Sequence, residues 1–95
     1  MKFLENQNVV ETYLAEPKSR VVTQFRKASI PDYNLWFFET IVWKMETDSP
    51  KFNLHKMFDS GADYDSAVIH HLSIVSNLVM GVDEAPPRRV TNGEP

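Results

Sequence analysis

Along residues 31–47 the apolar positions Pro31, Leu35, Phe38, Ile41, Val42 and Met45 recur at spacings of three and four, which gathers them on one face of a helix. Residues 64–80 carry the same period. There Tyr64, Val68, Ile69, Leu72, Val75, Val79 and Met80 form a wide apolar face, extended by Ala67, Ile74 and Leu78, and Leu72 is expected in the core. Prolines and glycines punctuate the rest. Pro17, Pro31 and Pro50 suit first helical positions, where the missing amide hydrogen has no partner to lose, and Gly61 and Gly81 suit helix ends. Ser29 with Asp32, Ser49 and Asp63 supply capping side chains.

These signals predict five helices over 4–15, 17–28, 31–47, 50–59 and 64–80, an all-α, small compact bundle in one domain spanning 1–82. Residues 83–95 are rich in proline and charge without apolar periodicity and read as a disordered tail. A rival reading makes a β-hairpin of Val9 to Ala15 and Arg20 to Lys27 around Glu16-Pro17-Lys18-Ser19, because Val, Thr, Tyr and Phe favour strands. The i, i+1, i+4 spacing of Val21, Val22 and Phe25 decides for the helix.

On a helix over 31–47, Trp36 and Trp43 lie outside the core face and, seven residues apart, share one ridge roughly 10 Å long. Tyr33 and Phe37 point away from the core as well. Trp and Tyr dominate interface hot spots, so Trp36, Trp43, Tyr33 and Phe37 are the candidate partner-binding residues, weighed against burial on both sides of a central helix. In the last helix the polar strip Ser66, His70, Ser73 and Asn77 bears no charge. It suits hydrogen bonding across a seam, within the chain or between two copies in a homo-oligomer.

Charge and composition narrow the partners. Ten basic against thirteen acidic side chains give a net charge of −3, no overall footprint for a polyanion. Lys18, Arg20, Arg26 and Lys27 form the one basic patch of the expected folded region, facing an acidic partner or, as the second reading, nucleic acid. The absence of cysteine excludes disulfides, thiolate metal sites and cysteine nucleophiles. Neither a secretory signal nor a run of apolar residues long enough to span a membrane is read, and the expected location is the cytoplasm, a host's if the gene is viral.

Candidate chemistry is sparse. His70 and His71 diverge by about 100° on a helix and do not ligate one ion from the same face, and His55 with Asp59 has the ordinary spacing of a helix pair. Asp59, Asp63 and Asp65 imitate the start of a calcium loop, but Tyr64 and His70 stand where it needs glycine and glutamate. No phosphate loop, nucleophile elbow or zinc-hydrolase motif is present. No catalytic, metal or cofactor site is expected. In size, acidity and expected helical make-up the chain is similar to the small immunity proteins that neutralise bacteriocins, a likeness of composition without a shared motif. The expected function is non-enzymatic protein binding through an aromatic helix face, as an adaptor or inhibitor of the kind a phage or other mobile element encodes.

Overall fold

A strand that is apolar on both faces has no period of two to betray it, and Leu35-Trp36-Phe37-Phe38 and Ile41-Val42-Trp43 are such runs. In the computed structural model, which describes residues 2–30, 33–45 and 51–82, they are extended. Four strands, β1 (Asn8–Ala15), β2 (Lys18–Ile30), β3 (Tyr33–Met45) and β4 (Phe52–Asp59), precede one helix, α1 (Tyr64–Val79). The strands form an antiparallel sheet in the order β1-β2-β3-β4.

The all-α bundle is therefore wrong, and so is the likeness of helical make-up that leaned on it. The segments expected as the first four helices hold the four strands, and only the fifth is helical. The hairpin reading is the one the backbone adopts at its start: Ala15 pairs with Lys18 across a two-residue connection, Glu16-Pro17, whose peptide bond is cis. Pro17 lacks the amide hydrogen a strand ladder needs and sits in the turn. Local spacing misled because cross-strand partners, not helical neighbours, satisfy these side chains: Val21 lies opposite Val42, Thr23 opposite Thr40 and Phe25 opposite Phe38. The helix starts expected at Pro31 and Pro50, and the tail over 83–95, lie outside the described residues.

The end signals of α1 are local and hold. Asp63 accepts a hydrogen bond from the Ser66 amide at 2.9 Å as the N-cap. Beyond the Met80 C-cap, Gly81 takes a φ of +76°, its amide donating to Leu78 O and that of Val82 to Asn77 O, the pair of bonds of a Schellman motif. Gly61, expected to end a helix, instead follows β4 at a φ of +85° and turns the chain into α1.

α1 lies across β1, β2 and β3. Val21, Val42, Ile74 and Leu78 form the core between helix and sheet, with Leu14, Phe58 and Val75 packed around them. Each fully buried aliphatic side chain here contributes about 1.5–3 kcal/mol. The helix is rotated about its axis from its expected orientation, with Ala67, Ile74 and Leu78 at the edge of the expected apolar face now at the centre of the buried one. Ser66, Ala67, His70 and His71 face the sheet, while Ile69, Leu72 and Val79 face out, Leu72 being 57% exposed.

Candidate functional site: an aromatic pocket beside a buried hydroxyl–histidine chain

Alternation along β3 rearranges the candidate binding residues. Seven is an odd number, so Trp36 and Trp43, neighbours on a helical ridge, project from opposite faces of the sheet. The expected ridge is absent. Trp36 stands on the helix side with Phe38, and Phe37 and Trp43 on the other; Tyr33 opens β3, and its side chain is outside the described residues. The basic patch divides by the same rule, with Lys18, Arg20 and Arg26 on the far face and Lys27 on the helix side. Arg20 also pairs with Glu11 at 2.8 Å, which raises its pKa through that hydrogen bond, and Arg26 lies 3.7 Å from Glu39. Of the expected seam, Ser66 and His70 are buried inside the chain, and Ser73 and Asn77 are half-buried.

At the end of the sheet nearest the start of α1, five aromatic rings converge. Phe25 of β2 stacks on Trp36 of β3, centroids 5.0 Å apart and planes 8° from parallel, and packs tilted against Phe38 at 5.2 Å. Phe3 arrives from the N-terminal segment. It is held there because Phe25 O accepts from the Asn6 amide and the Phe25 amide donates to Gln7 O, a turn made with Asn6 at a φ of +64°, which asparagine tolerates. The Phe3 ring lies 5.6 Å from Phe25, 5.5 Å from Phe38 and 5.3 Å from Tyr64. These five rings, with Lys2 and Ala62, line an open cavity of about 550 Å³. Phe38 forms its buried floor, and Trp36 is 41% exposed at its side. Lys27, directly opposite Trp36 in the sheet, holds its ammonium 5.4 Å over the indole. The sequence reading missed Phe3, Phe25 and Tyr64 as a group. Phe25, Trp36 and Phe38 share a face only when residues 18–45 pair as strands, and nothing local brings Phe3 to them.

Behind the pocket runs a buried chain of hydroxyls ending on two imidazoles. His71 Nε2 is 2.8 Å from Thr12 Oγ1 of β1, and its Nδ1 is 2.8 Å from Thr23 Oγ1 of β2. From Thr23 the chain continues to Thr40 of β3 at 2.7 Å, to Ser60 at 2.6 Å and to His70 Nδ1 at 2.8 Å. Burial comes first, and the neighbouring His70 second, in lowering the His71 pKa from 6.5 to about 4. The imidazole is therefore neutral at pH 7. A serine hydroxyl against an imidazole is the geometry of an activated nucleophile, but Ser60 is 3% exposed and already bonded to Thr40, so no substrate carbonyl reaches it. No cluster of three or more metal-ligating side chains exists among the described residues, and among these no helix is long and apolar enough to cross a membrane.

No family model matches the chain, nor does any curated protein or solved structure. Function is accordingly read from the geometry.

Proposed function

We propose that this chain is a non-enzymatic protein-binding module, an adaptor or inhibitor, whose aromatic pocket receives a large apolar side chain from an acidic segment of a partner protein. One observation carries the reading: five rings surround an open cavity of about 550 Å³, with a half-exposed tryptophan at its wall and lysines at positions 2 and 27 beside it. Aromatic anchors in concave, water-excluding sites account for most of the binding energy of typical interfaces. The flanking ammonium groups favour carboxylates on the incoming segment and repel basic ones. The nucleic-acid reading has less support, since the basic side chains expected on one helix divide between two sheet faces and Arg20 and Arg26 lie against glutamates. A cytoplasmic setting is part of the proposal; among the described residues no helix is long and apolar enough to cross a membrane.

The test is selection from a displayed random-peptide library on the immobilised full chain. Enrichment of peptides with an aromatic or large aliphatic residue flanked by Asp or Glu is expected, their binding weakened at least tenfold by Trp36→Ala and made less salt-sensitive by Lys2→Glu with Lys27→Glu. Peptides that bind the Trp36→Ala chain as well as the native one would place the interface elsewhere and overturn the assignment.

A further inference from the structure

The hydroxyl–histidine chain can be counted in protons. Between His71 Nδ1 and His70 Nδ1 it has four links, through the hydroxyls of Thr23, Thr40 and Ser60. Every link needs one hydrogen, and each hydroxyl owns one. Three hydroxyl hydrogens leave one link short, so a ring N–H at one end or the other must supply the fourth. If neither Nδ1 carried a hydrogen, one link would be two lone pairs in contact. If both did, one hydrogen would point at another.

We infer that His70 and His71 share a single Nδ1 proton, so that their tautomers are opposite and the chain works as a latch that tolerates only one added proton. In one arrangement His70 Nδ1–H donates to Ser60, the hydroxyls point in sequence toward His71 Nδ1, and His71 Nε2–H donates to Thr12. In the other, His71 Nδ1–H donates to Thr23, the hydroxyls point toward His70 Nδ1, and the Thr12 hydroxyl donates to His71 Nε2. Protonating either imidazole selects one direction and keeps all four links. Protonating both puts five hydrogens into four links, and one must open.

The opening matters because of what the chain fastens. From Thr12 of β1 it runs through His71 of α1 to β2, β3 and the β4–α1 connection, and it returns to α1 at His70. Ser60 is also tied through its backbone to Phe38, whose amide donates to Gly61 O while its carbonyl accepts from the Ser60 amide. Phe38, Ala62 and Tyr64 belong to the pocket wall, so loosening Ser60 loosens that wall whatever the pocket binds.

The charged groups around the pair are few. By alternation the helix-facing side of the sheet carries none on β1, Lys27 on β2, Lys44 on β3 and Lys56 on β4, where His55, at a register shift, lines a cavity together with Lys44 and Leu78; α1 itself carries Asp65. In the connection, Asp59 accepts from the Gly61 amide and Asp63 caps α1. Phe58 of β4 stands edge-on to His70 with ring centroids 5.9 Å apart.

Long-range proton–nitrogen correlation spectra of the ¹⁵N-labelled full chain at neutral pH report which ring nitrogens carry hydrogen. The expected result is that the Nδ1 occupancies of His70 and His71 sum to one, as one protonated and one bare nitrogen or as two complementary averages. Two bare or two protonated Nδ1 atoms overturn the inference. Thr40→Val, which removes the middle hydroxyl at nearly constant shape, is expected to abolish the complementarity, and to let both imidazoles become cationic at a higher pH than in the native chain. Complementarity that survives in a folded Thr40→Val chain would show that the hydroxyls do not transmit it, and would equally overturn the inference.

Discussion

Ile74→Ala and Leu72→Ala separate the two orientations of the helix. Ile74 is 3% exposed and packs with Val21, Val42 and Leu78 between helix and sheet, whereas Leu72 is 57% exposed on the outer side. Removing three carbons from Ile74 costs about 2.4 kcal/mol in transfer free energy, at about 0.8 per CH₂. The sheet below is held by its ladder and closes little of the resulting space, so the cavity adds to this and brings the loss to about 3–4 kcal/mol. That is a large share of the roughly 5–15 kcal/mol by which a domain is stable. Leu72→Ala gives up only a partial contact, and alanine is the better helix former, so a change of about 0.5–1 kcal/mol is expected. Urea unfolding followed by circular dichroism at low protein concentration measures both, with an unchanged slope showing that the midpoint alone has moved. A Leu72→Ala loss equal to that of Ile74→Ala would refute the orientation, because it would require the outer face to be packed. The helical periodicity of residues 64–80 by itself predicts that Leu72→Ala is the costly substitution, so the experiment decides between sequence pattern and fold.

Acidification is expected to destabilise the chain through His71. With a folded pKa of about 4 against 6.5, the unfolded chain takes up the proton first, so this contribution is complete above pH 6.5 and is lost as pH falls toward 4; urea midpoints of native chain minus His71→Gln should reveal up to about 3 kcal/mol, and a flat difference curve would refute it. Thr23→Val leaves buried partners on Thr40 and His71 unsatisfied and should cost about 1–3 kcal/mol by the same assay, whereas Thr12→Val, at the half-buried end, should cost less. Gly81→Ala should cost about 1 kcal/mol from backbone conformation alone, since a methyl group there meets no atom within 4 Å while the φ of +76° disfavours it; an unchanged midpoint would argue against the Schellman end. In a Trp43→Phe chain the remaining emission comes from Trp36, and iodide is expected to quench it readily and selected peptides to shield it; emission inaccessible to iodide would mean a closed pocket.

What was legible in the sequence is what short-range chemistry decides. Asp63 and Gly81 bracket α1 because caps are made with amides and carbonyls a few residues away, so the residues that end a helix lie beside its end. The uncharged strip containing Ser66 and His70 was visible too, but its pattern left a seam within the chain and a seam between two copies equally open, and only the fold buries these two residues inside the chain. Tertiary structure decided the rest, because strand pairing joins residues such as Thr23 and Thr40, 17 positions apart, and no local pattern specifies which partner a strand will find. In β3 apolar side chains on both faces erased the alternation, leaving Leu35, Phe38, Ile41, Val42 and Met45 to imitate a helix stripe by number alone. Once the backbone extends, the same residues change neighbours: Trp36 parts from Trp43 and joins Phe25 and Phe3 at the pocket. The polar strip is buried for a related reason. Thr12 and Thr23 give His71 a hydroxyl at each ring nitrogen and Ser60 gives one to His70 Nδ1, so the helix settles with its histidines inward and its surplus leucine and valine facing out.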